Sequence, residues 1–280
     1  MVEERRRIWR TFRKNKIAVV GMVLTIVIGL IAVLAPVISP YSPLEQDVLN
    51  QYNPPGGVHF FGTDNYGRDV MSRTIWASRV SLVVGFFSVI FGMTVGSIIG
   101  VVAGYTGGWV EGTLMRGVDI GLSFPTLVLG LVIMAVLGGG LDKLIIAIGV
   151  AMAPRFARIA HGPTLSIREE SYIEAAKAVG ARPTRILLRH IIPNILGEIL
   201  VMATLWIATA IRIEANLSFI GLGVSPPTPS WGNMVRAGVN HLVMAPWLSL
   251  IPGAAILITV LSFNMIGDGI RDIADPRLQG

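Results

Sequence analysis

The stretch VSLVVGFFSVIFGMTVGSIIGVVAGYTGGWV, residues 80–110, carries no charged side chain. The hydrocarbon core of a bilayer is about 30 Å thick and takes roughly 20 apolar residues per helical crossing, so this run alone suffices to span one. Within it Gly92, Gly96, Gly100 and Gly104 recur at four-residue steps and fall on one helical face. A small-residue stripe of this kind lets two helix backbones approach closely, and we read it as a packing face.

Uncharged runs at 17–38, 120–141 and 242–266 meet the same length requirement on either side of that stretch. Two further spans are expected: one at 144–160, with Arg155 and Arg158 at its end, and one at 195–213, which contains Glu198. The total is about six transmembrane helices. Hydrophobic residues make up 52% of the 280 and charged ones 14%, which excludes an ordinary soluble enzyme. The fold class is all-α integral membrane, with the lipid bilayer as solvent.

The net charge of +6 would suit nucleic acid, but the basic residues lie between the apolar runs, where cytoplasmic loops carry them. No nucleic-acid partner is expected. Cysteine is absent, which removes disulfides, thiolate metal sites and cysteine nucleophiles. Residues 1–16 are rich in Arg and Lys, and the apolar run that follows is longer than the roughly 7 to 15 residues of a signal-peptide core. We therefore expect a cytoplasmic basic amino terminus at 1–16 and an uncleaved first transmembrane helix at 17–38.

The remaining loops alternate in charge. Segment 39–79 sets Glu45, Asp47, Asp64 and Asp69 against Arg68, Arg73 and Arg79, and the turn at 138–143 is nearly neutral, so both belong outside. Between the fourth and fifth spans lie Arg155, Arg158, Arg168, Lys177, Arg182, Arg185 and Arg189, which belong inside. An even number of spans returns the tail to the cytoplasm, with residues 80–280 forming a core of five helices.

The long inside connection is itself structured. Residues 166–180 read as a short amphipathic helix with Ile173, Ala176, Val179 and Gly180 near one face. Gly180 can take the left-handed conformation that ends a helix, and Pro183 suits the first turn of the next, which runs to Pro193. The small Ala175 and Ala176 admit a partner surface, and Glu174 offers it a charge.

Glu174-Ala175-Ala176, Gly180 and Pro193 resemble the EAA signature of the permease subunits of binding-protein-dependent ABC importers. His190 departs from the general motif, although the wording Arg189-His190-Ile191-Ile192-Pro193-Asn194 is similar to the peptide-importer branch. The run Gly62-Thr63-Asp64-Asn65-Tyr66-Gly67-Arg68-Asp69 resembles the GTDxxGRD block of dipeptide and oligopeptide permeases. The block from Ser218 to Gly232, with Gly267-Asp268-Gly269-Ile270-Arg271-Asp272 and Asp275-Pro276-Arg277-Leu278, resembles the second, C-type permease of that group.

The resemblance implies a type I importer permease (MetI-like) fold in a prokaryotic plasma membrane, with both termini cytoplasmic and a coupling helix at 166–180. It implies as partners a homologous second permease, two ATP-binding subunits that carry the ATP and Mg, and an extracytoplasmic solute-binding protein. No cofactor or metal is expected on this chain, which has no Walker A loop and no HExxH. Glu174, Ala175, Ala176, Gly180 and Pro193 are the expected ATPase-coupling residues, and catalytic residues are not expected. Asp64, Arg68 and Asp69 are candidates for an extracytoplasmic contact, or pair with one another and cap a helix. Ionisable residues in spans are costly, which makes Glu198, Arg212 and Glu214 candidates for the translocation pathway or its gate. Alternatively Arg212 and Glu214 lie in water at the outer interface. The implied cargo is a di- or oligopeptide, with nickel complexes, glutathione or opines as alternatives. A passive channel, an ion-driven carrier and an intramembrane hydrolase are the rival classes.

Overall fold

A computed structural model describes the backbone of residues 15–274 and the side chains as far as residue 270. The basic segment 1–14 and the terminal Asp275-Pro276-Arg277-Leu278 lie outside the described residues. Helix α1 (Lys16–Ile38) opens on Asn15, whose side chain accepts from the Ala18 N–H at 3.1 Å, and closes at Ser39, which Pro40 holds in an extended conformation.

Helix α2 (Val70–Thr106) begins ten residues earlier than the charge-free run at 80–110 suggests. Arg73 and Arg79 are accommodated inside it: Arg73 donates to the Pro43 carbonyl at 2.8 Å, and Arg79 stacks over Trp76 at 5.1 Å. At its other end Gly107, at φ 70°, stops the helix before residue 110.

The expected single span at 120–141 is instead two helices, α3 (Gly108–Ser123) and α4 (Thr126–Leu137), bent by 96°. Pro125 forces Phe124 into extended backbone and supplies no N–H, which breaks the ladder there. After α4 come α5 (Leu141–Arg168), α6 (Ser171–Ala178) and α7 (Pro183–Ile186). A π turn (Leu187–Ile191) joins α7 to α8 (Ile192–Ile220), and α9 (Trp231–Val239) and α10 (Trp247–Ala274) complete the chain. Among the described residues five helices are long and apolar enough to cross a membrane, or six with the bent pair taken as one crossing.

The centre of the bundle is the contact of α2 with α5, the most extensive between any two helices. A methyl group added at Gly92 would lie 2.7 Å from the Gly149 carbonyl oxygen, and at Gly96 and Gly100 it would strike the carbonyls of Ala153 and Ala157. Gly104 meets His161 one turn further on. Backbone therefore rests on backbone along four turns, and both numberings climb together, so α2 and α5 are parallel.

Parallel neighbours require a return between them. Continued upward, that register sets Leu141 level with Val84, so α3 and α4 must carry the chain back by about 30 Å at 1.5 Å per residue. This is about the thickness of the hydrocarbon core, so the bent pair makes one crossing, the third of six among the described residues. Gly85 against Ile211 and Ser81 against Glu214 make α2 and α8 antiparallel, and Gly21 packs against Met265 where α1 meets α10. One end of the bundle thus carries Thr106, the end of α5 and α6. The other gathers the segment 39–69, the turn at 138–140 and α9.

The glycine contact is testable by single substitution. Gly96→Ala should lower stability by about 1–3 kcal/mol through overpacking, whereas Gly117→Ala, with open space around it, should be neutral or slightly stabilising. Thermal unfolding of the two variants in detergent measures the difference.

Candidate functional site

At the Thr106 end, α6 lies across the ends of α2 and α5. It starts later and is shorter than the expected 166–180, because α5 continues to Arg168. Ile173 is fully buried against a core that includes Ile186, Ile191 and Ile195, and Ala176 is half-buried beside it. Glu174 and Ala175 face outward, and Glu174 has no ion-pair partner among the described residues. Val179 departs from the expected apolar face and is 84% exposed, since α6 ends before it and the cap rotates it outward.

Gly180 closes α6 at φ 80°. Its N–H donates to the Lys177 carbonyl at 2.9 Å and that of Ala181 to the Ala176 carbonyl at 3.0 Å, the bond pair of a Schellman motif. Open space surrounds Gly180, so its glycine requirement comes from the backbone angle and not from crowding.

Pro183 opens α7 as expected. Further on, Pro193 has no N–H for the Arg189 carbonyl, and the chain widens into the π turn, in which the Ile192 N–H reaches back to Leu187. Tyr172 meets His190 ring to ring at 6.2 Å, and the Lys177 ammonium sits 5.8 Å from the Tyr105 ring. Helix α6 is therefore tied to α2, to α5 through a two-residue link, and to the start of α8.

The three ionisable candidates of α8 separate. Glu214, a candidate for the pathway or its gate or else for a watery outer interface, is fully buried between α2 and α8. Its carboxyl accepts from Ser81 Oγ at 2.9 Å and from Ser218 Oγ at 2.8 Å. It follows from helical spacing that Glu214 points away from Glu198 and Arg212, which are exposed. Glu198 and Arg212 share one face about 21 Å apart, together with half-buried Thr209 and exposed Asn216. Thr209 and Asn216 went unread in the sequence, although steps of three and four from Arg212 reach both. Charged groups are expensive against lipid, so this face looks onto protein or water.

At the opposite end, Asp64, Arg68 and Asp69 turn inward and none exceeds 9% exposure. Asp64 accepts from Arg68 Nε at 2.7 Å and from the N–H groups of Tyr66 and Arg68, and lies 3.5 Å from Arg73 Nε. Asp69 caps α2 through the Ser72 N–H at 2.7 Å and meets His59 Nδ1 at 3.0 Å. Trp247 Nε1 donates to the Thr63 carbonyl at 3.2 Å and ties the block to α10. A direct contact with an outside partner needs exposed side chains, whereas these organise the loop from within. The polar pairs Glu111 with His161, at 2.8 Å, and Asp119 with Arg158 join α3 to α5 near the α6 end.

Comparison with known proteins agrees with this architecture. Residues 96–280 match the family described as binding-protein-dependent transport system inner membrane component, and residues 5–55 match the N-terminal transmembrane domain of oligopeptide transport permease C. The dipeptide transport system permease protein DppC of Alkalihalophilus pseudofirmus is 42% identical over 278 residues, covering 98% of this chain and 90% of that protein. The glutathione transport system permease protein GsiD of Escherichia coli is 41% identical over 275 residues, covering 97% and 90%. Among solved structures, an inward-facing conformation of the MetNI methionine ABC transporter superposes with a TM-score of 0.58 at 22% identity, over 72% of this chain and 97% of that one.

Because Glu214 is held by two hydroxyls, its hydrogen bonding and not its charge is the feature to probe. Glu214→Gln should preserve the fold, and Glu214→Leu should cost about 1–3 kcal/mol by stranding polar groups in the α2–α8 contact. Thermal melts of the purified variants read the difference.

Proposed function

We propose a mechanism from one premise: the chain belongs to the binding-protein-dependent transport system inner membrane components, and is the multi-pass permease subunit of an ATP-binding cassette importer. In our reading it works with a homologous second permease, two ATP-binding subunits that hold ATP and Mg, and an extracytoplasmic solute-binding protein. The end that carries Thr106 and α6 is cytoplasmic, because it holds Arg168, Lys177, Arg182, Arg185 and Arg189.

The observation that carries the mechanism is the two-faced α6. Ile173 anchors it in the bundle core, while Glu174, Ala175 and Val179 are free on the other side. That outward face docks on an ATP-binding subunit, and Gly180 and Pro193 set the geometry of the hinge behind it. When the ATP-binding subunits close, α6 moves and takes the ends of α2, α5 and α8 with it. ATP can shift the inward-to-outward equilibrium only through contacts that differ between the two states, and α6 makes them.

The polar face of α8, with Glu198, Thr209, Arg212 and Asn216, lines the pathway between the two permeases. A peptide bears an ammonium and a carboxylate, and Glu198 and Arg212 offer each a transient opposite charge. Di- or oligopeptides are the cargo this reading favours. Glutathione, the cargo named for the GsiD relative, is a second reading and is itself a peptide. The buried Asp64, Arg68 and Asp69 hold the outer rim in shape, so that any contact with the binding protein falls on the loop surface around them.

Two outcomes are expected. In the reconstituted importer, Gly180→Val should leave assembly intact and reduce peptide uptake per ATP hydrolysed by about ten-fold, since a strained left-handed residue distorts the α6 hinge; wild-type uptake would refute it. In the cysteine-free chain, single cysteines at Glu198 and Arg212 should react with water-soluble thiol reagents, while one at Leu217, which is fully buried, should not.

A further inference from the structure

An open groove of about 430 Å³ runs between the second half of α2 and the α7–α8 segment. Met93, Ser97 and Val101 form one wall and Leu188, Ile192 and Ile195 the other. It is distinct from the polar face of α8, lying about a third of a turn away around that helix. Its α2 wall starts close to the Thr106 end and climbs about 14 Å from Val102 to Met93, much the depth of one leaflet of hydrocarbon, about 15 Å.

Exposed basic side chains adjoin the groove along the chain. Arg185 and Arg189 alternate in the chain with the lining residues Thr184, Leu188 and Ile192, and Arg182 lies one turn before. All three are exposed and none has an ion-pair partner among the described residues. Exposed arginines beside an apolar groove between helices, on the cytoplasmic side, match the chemistry of an acidic lipid headgroup with its tail.

We infer that this groove holds an acyl chain of an anionic phospholipid from the cytoplasmic leaflet, with its phosphate between Arg185 and Arg189. The lipid wedges α2 against α8 at the level where α6 is tied to both. The inference rests on the membrane orientation given under the proposed function.

The test uses the full importer in bilayers of mixed phosphatidylglycerol and phosphatidylcholine, with a photoreactive group on the acyl chain of one lipid at a time. The phosphatidylglycerol probe should label 93–102 and 187–199 about ten-fold more than the outer face of α1 at Val33 and Val37, and the phosphatidylcholine probe should not. Arg185→Gln with Arg189→Gln should abolish that preference, and Leu188→Trp, which fills the slot with both arginines kept, should abolish groove labelling. Equal labelling by the two lipids, labelling unaffected by these variants, or a crosslink from Leu188→Cys to the second permease would each overturn the inference. A cysteine at Arg182 reports sidedness in the same sample. Reaction only from outside would contradict the orientation, whereas cytoplasmic reaction with unselective labelling would reject the lipid site alone.

Discussion

Everything in this bundle follows from the backbone contact between α2 and α5. Gly92, Gly96 and Gly100 rest on the carbonyls of Gly149, Ala153 and Ala157, and in lipid, where apolar surface gains little by leaving its surroundings, such close van der Waals packing is what holds helices together. The contact is parallel, so the polypeptide between the two helices must recross the bilayer. The bent α3–α4 pair makes that crossing, with Glu111 and Asp119 pairing back onto α5. The same register sets Thr106 level with Pro163, about a turn and a half before α5 ends at Arg168 and α6 follows.

Much of this was legible in the sequence, because a membrane imposes its demands on composition. Charge-free runs located the spans, and the four-residue glycine step marked the packing face. What escaped was decided by local geometry or by partners distant in sequence. The start of α2 was hidden because Arg73 and Arg79 look like loop charges until Asp64, Pro43 and Trp76 are seen around them. The break in the third crossing rests on Pro125 acting through Phe124, and apolar length alone does not register it. Glu214 gave no sign of burial, since its Ser81 partner lies 133 residues away.

The candidate site shows the same division. Glu174, Ala175, Ala176 and Gly180 stood out by spacing, and the Schellman bonds at Gly180 give that spacing a physical cause. The apolar face read at 166–180 already set Ala176, and not Ala175, beside Ile173. With Ile173 buried, Ala176 turns inward and Ala175 outward. The GTDxxGRD block was likewise visible as a motif, while its use of Asp64 and Asp69 as internal ligands for backbone N–H groups required the fold.

The account depends on α6 presenting one face to an ATP-binding subunit while the other is locked in the bundle. The most direct measurement is cysteine crosslinking in the assembled importer, made clean by the absence of native cysteine in this chain. A cysteine at Ala175 should crosslink to the ATP-binding subunit and arrest transport until the crosslink is reduced, whereas one at Ala176 should do neither. Crosslinking at Ala176 to the same extent, or free transport with the Ala175 crosslink in place, would contradict it.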